Sequence, residues 1–403
     1  MIQKQLPRLS VLLFLSLHLG CVTVEKPPPA EPAAHDVVPE KIEEKIELTV
    51  TDEELKRFPL VRDLAGDAHP SGLRYWTDSF SPVKANGAYV SVIHREDEYE
   101  LWRGSLVYKG LPTQGRLAPH YQSAKVDERV CIVSRGPTLN SLGKGEVRFD
   151  ATLIDDVHLP KEPGKPSNDK GFTRTSMNWF PGIGYVFYCC VTHGYSPGAV
   201  PLLPAIMVSE TGEAGTWKYL GKMKGEPAEE ASKRVIWSDG GSIHLLDNGT
   251  WRAYLNGYGQ VATAVESKKL DGEWKFLRDG SGKIRELLPG FPKGAGGNGV
   301  WLHVLRVADK EWHLWLTDTW PAQSIWHFSS KDGLTWKPYG LQPEITRIHV
   351  GGHGIKCMRT FLDPTGEEIV GLLSVWGKFE DRPNGWVLHT SRMPIGLQPK
   401  DRQ

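Results

Sequence analysis

The chain is poor in cysteine: five among 403 residues, none in the C-x-x-C spacing that structural zinc and dithiol chemistry use. So few thiols over this length make no disulfide framework. Net charge is also missing, since 48 basic residues balance 48 acidic ones, so no overall field draws nucleic acid or an anionic membrane. No apolar run is long enough to cross a bilayer; the stretch from Leu9 to Leu19 is too short. What the chain has in quantity is glycine (43), proline (29) and tryptophan (15). That mixture suits many short strands joined by tight turns and packed by large aromatic rings, an all-β architecture.

The N-terminus reads as an export signal. Lys4 and Arg8 precede the apolar run, and Gly20 and Cys21 follow it. A cysteine directly after a small residue resembles a bacterial lipoprotein signal, which implies lipidation at Cys21 and a place in the cell envelope. His18 stands where that family usually has leucine, so periplasmic or secreted export is the alternative. From residue 21 to about 60 the chain is rich in Pro, Ala and Glu and cannot bury a core, so it reads as an extended tether. Within it, Thr51 and Glu54 would cap a short helix over Asp52 to Arg57.

Residues 61–397 read as one repetitive domain. Five units of hairpin, third strand, turn and Trp enter near Arg74, Phe172, Trp237, Asn298 and His353. The first unit runs to about Asp155, and six units result if this long one is really two. Alternation such as Trp251-Arg252-Ala253-Tyr254-Leu255 predicts half-buried strands. A closed ring would remove exposed edges, so the expected fold is a five-bladed β-propeller.

Three turns close successive units: Glu210 to Trp217 (ETGEAGTW), Lys268 to Trp274 (KKLDGEW) and Ser329 to Trp336 (SSKDGLTW). Asp accepts local backbone bonds, Gly supplies a positive φ, and Trp packs between blades. The last turn is one residue shorter than the Asp box of sialidases. It resembles instead the turn of the five-bladed propeller glycosidases, the arabinanase, levansucrase and invertase superfamily. That resemblance implies a central funnel, a carbohydrate substrate, and three carboxylates at the starts of innermost strands: an Asp base or nucleophile, a second Asp that tunes it, and a Glu acid. The chemistry needs one protonated and one ionised carboxyl flanking the glycosidic bond.

By position Asp78 resembles the first of these, and Asp239 opens the third unit beside two glycines; each is otherwise a turn residue. No Glu falls at a unit entry, and Glu286 precedes the nearest one by a wide margin. Arg174 and Asn178 at the second entry, Asn298 at the fourth and His353 at the fifth are the expected substrate-binding groups. In the superfamily a pore histidine sometimes lies near a metal ion, and His353 resembles it in place. No other cofactor is implied, and a monomer is expected. A non-catalytic glycan- or protein-binding propeller is the second reading. A sialidase-like site, the third, needs several of Arg174, Arg234, Arg252, Arg306 and Arg359 to converge. The adjacent Cys189 and Cys190 should face opposite sides of one strand as inert buried thiols, and the tryptophans Trp301, Trp312, Trp315, Trp320 and Trp326 should pack a core.

Overall fold

The computed structural model describes residues 81–82, 90–108, 126–155, 171–192, 203–227, 241–256, 262–289, 301–317, 324–339, 344–346, 354–379 and 382–395. Five antiparallel sheets account for nearly all of them. The first blade holds Val90–Arg95 (β2), Glu98–Tyr108 (β3), Val126–Gly136 (β4) and Glu146–Asp150 (β5), paired in that order; a short strand Ser81–Pro82 (β1) precedes it in the chain. The second holds Gly171–Phe180 (β6), Gly184–Thr192 (β7), Leu203–Ser209 (β8) and Lys218–Lys222 (β9). After Lys224–Gly225 (β10) come Gly241–Leu245 (β11), Trp251–Asn256 (β12), Ala262–Ser267 (β13) and Glu273–Phe276 (β14) of the third blade, to whose outer strand β10 adds in parallel. The fourth comprises Leu302–Ala308 (β15), Glu311–Thr317 (β16), Ser324–Ser330 (β17), Lys337–Pro338 (β18) and Ile345–Thr346 (β19). The fifth comprises Gly354–Leu362 (β20), Glu368–Phe379 (β21) and Arg382–Pro394 (β22).

The innermost strands β2, β6, β11, β15 and β20 each touch the next, and β20 touches β2, so the five blades form a closed ring. Closure is completed by β1, which pairs with β22 through Ser81–Thr390 and Pro82–His389 and so supplies the fifth blade's outermost strand. The first repeat unit read from Arg74 therefore divides: Ser81 and Pro82 belong to the last blade, and the first blade begins at Val90. The long first unit is one blade and not two.

The strands are covered on both faces, not on one as their alternation predicted. In β12, Trp251, Ala253 and Leu255 pack toward the second blade, while Tyr254 packs with the fourth. Arg252 on that second face is buried too, held by Glu266 and by the carbonyl of Asp332. Stacked blades leave a sheet no wet face, so the polar positions must find partners in the neighbouring blade. Cys189 and Cys190 follow the same geometry. Both are buried free thiols, Cys189 in the seam with the first blade and Cys190 in the seam with the third. Trp301, Trp312, Trp315 and Trp326 are core residues; Trp320 lies outside the described residues.

The Ser-Lys-Asp-Gly turn is built as its residues require. Asp332 Oδ1 accepts from the amides of Leu334 (2.8 Å) and Thr335 (2.7 Å), and Gly333 has φ +69°. Burial would raise the Asp332 carboxyl, but these bonds outweigh it and hold it down to about 2. Tyr254 and Arg252 of the third blade donate to the carbonyls of Gly333 and Asp332, so the turn staples two blades together. In the other two turns serine does the bonding. Ser209 Oγ accepts from Gly212 N and Ser267 Oγ donates to the Lys269 carbonyl, ahead of the buried Trp217 and Trp274.

Candidate functional site

Each blade's innermost strand presents one unpaired edge to the ring axis, and its amides and carbonyls need partners there. The sequence supplies small hydroxyls for the amides. Ser91 Oγ in β2 accepts from Met177 N in β6 (2.9 Å), and Ser242 Oγ in β11 accepts from Val304 N in β15 (2.9 Å). For the carbonyls it supplies one long cation. Arg359 of β20 donates through Nη1 to Leu302 O and through Nη2 to Thr175 O, each at 3.2 Å. A single guanidinium thus links the second, fourth and fifth blades, as its planar fork allows.

His303 completes this axial group. Arg359 Nη1 lies 3.2 Å from His303 Nδ1 and Ser242 Oγ lies 3.1 Å from it, while Nε2 is 2.9 Å from Thr360 O. A guanidinium has no lone pair, so Nδ1 accepts and Nε2 carries the proton that Thr360 O takes. Burial, then the nearby Arg359 charge, hold this imidazole well below its usual range, so it stays neutral. Ser91, Thr175, Ser176, Ser242, His303, Arg359 and Thr360 are all buried, so a hydrogen-bonded polar layer lies near the axis at this level.

Every innermost strand is the first of its blade, so all five run the same way and their N-terminal ends share one rim. In sequence order Asp239 precedes β11, Asn298 precedes β15 and His353 abuts β20. All three lie outside the described residues, as do Asp78 and Cys21, the Thr51 to Arg57 segment and Arg234. The strand that follows Asp78 is β1, the outermost of the last blade. Arg174 lies in β6, where its side chain is not described, next to the Thr175 carbonyl that Arg359 holds. Asn178 is placed near the far end of β6, opposite Val186, away from the strand starts, with its Nδ2 buried and unbonded among the described residues.

The described arginines do not gather on one point. Arg252 pairs with Glu266, Arg306 with Asp247 and Asp309, and Arg359 sits on the axis. That corrects the sialidase-like option for those three. Glu286 lines an outer groove of about 630 Å³ with Arg278, Lys283, Arg285 and Trp336, between the third and fourth blades and not at the axis. The axial group itself was not singled out from sequence. Its signal is the repeated serine at the second position of β2 and β11, which a blade-by-blade alignment exposes.

Comparison with known proteins agrees on the fold. No family model matches the chain, and no curated protein matches it. Among solved structures it is similar to one assigned as an exo-β-1,3-galactanase from Bifidobacterium bifidum s17, with 10% identity over 80% of this chain and 95% of that one, at a TM-score of 0.50. An endo-arabinase from Bacteroides thetaiotaomicron VPI-5482 has 15% identity over 81% of this chain and all of its own, at 0.46. The chain therefore has the five-bladed β-propeller fold found among glycoside hydrolases.

Proposed function

We propose that this chain is an exported carbohydrate-active propeller that hydrolyses a polysaccharide or oligosaccharide in its central funnel. The observation that carries the reading is the axial polar layer: five strand starts share one rim, and beyond them Arg359, His303 and the serines join neighbouring blades by hydrogen bonds. Asp239, ahead of β11, and Asp78 are the carboxylates assigned to acid–base work, with Arg174, Asn298 and His353 as substrate contacts; Asn178, near the far end of β6, is not one of them. The cation at Arg359 favours the ionised form of any carboxylate set above it, and a second, more apolar position keeps its partner protonated. Export follows from the N-terminal signal, with Cys21 the lipid anchor that holds the protein in the bacterial cell envelope.

A second reading, a propeller that binds glycan without cleaving it, is favoured by one observation. Among the described residues, the axial side chains include hydroxyls, an imidazole and a guanidinium but no carboxylate. The test is the mature chain incubated with a panel that includes β-1,3-galactan, arabinan and xylan, reading sugar release and binding separately. Hydrolysis of one polymer is expected, falling by about 10²–10⁴ in kcat for Asp239→Asn and for Asp78→Asn with binding kept. Binding without release in the unmodified protein establishes the second reading instead.

A further inference from the structure

Away from the axis, on the face of the fourth blade that packs against the fifth, four titratable side chains stand in a row. Glu311 Oε1 lies 3.2 Å from His313 Nε2, and His313 Nδ1 lies 2.8 Å from His327 Nε2. His327 Nδ1 lies 2.5 Å from Glu344 Oε2. This last contact has ion-pair geometry and not that of a straight hydrogen bond. His313, His327 and Glu344 are each 3% exposed, while the Glu311 side chain reaches 36%. The row therefore leads from a buried carboxyl to the surface.

Proton counting gives the row a direction. The Glu311 carboxylate accepts from His313 Nε2, which leaves Nδ1 of a neutral His313 as an acceptor. His327 then donates through Nε2, and its own Nδ1 becomes the acceptor. Two lone pairs cannot face each other at 2.5 Å, so one member of the Glu344–His327 pair carries a proton. All donors point outward. A second proton would set two N–H groups against each other across the 2.8 Å contact.

The surroundings offer such a charge little relief. His327 is stacked between Trp315 (4.5 Å) and Tyr339 (4.0 Å), and Ile325, Ile345, Ile355, Met358, Leu373 and Met393 close the same seam. Of the other described ionisable groups, Tyr339 stacks on the row, His303 lies across Trp315 with Arg359 beyond it, and Lys337 pairs with Ser329 at the exposed margin of this face. Burial keeps both imidazoles below their usual range.

We propose that Glu311, His313, His327 and Glu344 form a proton wire that stores one proton in the seam between the fourth and fifth blades, and that loading a second proton opens this seam. The device belongs to the blade interface and does not depend on what binds in the funnel.

Hydrogen–deuterium exchange of the mature protein between about pH 7 and about pH 5, corrected for intrinsic rates, tests it. Protection in β16, β17, β19 and β20 should fall by about tenfold or more beyond any fall shared with β7 and β8 across the ring. Equal behaviour of the two regions, whether both hold or both fail, overturns the proposal. His313→Gln cannot accept the second proton and should keep the seam closed over the same range; a seam that opens as before is an adverse result. A second measurement needs no variant. Long-range proton–nitrogen spectra of protein with labelled histidine should show the Nε2–H tautomer for both imidazoles at neutral pH, and an Nδ1–H tautomer at His313 overturns the wire.

Discussion

Buried neutral imidazoles give the molecule a defined response to acid. Burial holds His244 down to about 3 and His303 well below its usual range, each from an ordinary value of 6.5. A depressed histidine contributes stability that is present above the unfolded value. Below it the unfolded chain takes up a proton that the folded one refuses. Stability should therefore fall as pH drops through about 6.5, by about 1.4 kcal/mol per pH unit for each such histidine, until the folded value is reached. Denaturant midpoints measured along a pH series check this, and His303→Gln should flatten the curve by about one histidine's share. None of this was legible in the sequence. A histidine's burial and tautomer depend on donors from other blades, such as Arg359 to His303, which linear spacing does not encode.

Turns were the most legible elements, because their chemistry is local. Ser330, Asp332, Gly333 and Trp336 lie within one short segment and each acts as its residue type dictates. Two glycines with similar backbone angles separate the local requirement from the packed one. Gly333 has φ +69° and Gly366 has φ +73°. A methyl at Gly366 would meet nothing, whereas at Gly333 it would collide with the Tyr254 hydroxyl and press on Arg252 and the Trp312 ring. Gly366→Ala should cost about 1 kcal/mol, the backbone penalty alone. Gly333→Ala should cost about 3 kcal/mol or more, because the inter-blade staple must also shift. Thermal unfolding of the two variants side by side reads the difference. The His313 and His327 row shows the opposite case: Glu311 and His313 share β16, but His327 comes from β17 and Glu344 from just before β19, so no motif joins all four.

At the scale of the whole ring, repeat counting found five blades but misplaced one boundary. Ser81 and Pro82 were read with the strand that follows them, since a two-residue strand has no period to mark its allegiance. Their pairing with Thr390 and His389 is a contact between the two ends of the domain, invisible to any local window. The starts of two innermost strands were legible for a different reason: each is marked by glycine and by the apolar residues after it, as at Gly241 and Gly354. A chain shortened to begin at residue 61 should unfold at the same temperature as the mature protein. One shortened to begin at Val83 should unfold lower by about 5 °C or more, having lost the fifth blade's outer strand. Differential scanning calorimetry of both distinguishes a clasp from a dispensable end.

That clasp also sets an order of events in synthesis. The segment that completes the ring is among the first of the domain to leave the ribosome, and the strand it must meet, β22, is the last. Four blades can stack on one another as they emerge, but the ring stays an open arc until the final strand arrives. Closure thus waits for β22, and a chain cut short before Arg382 has nothing for its own beginning to hold.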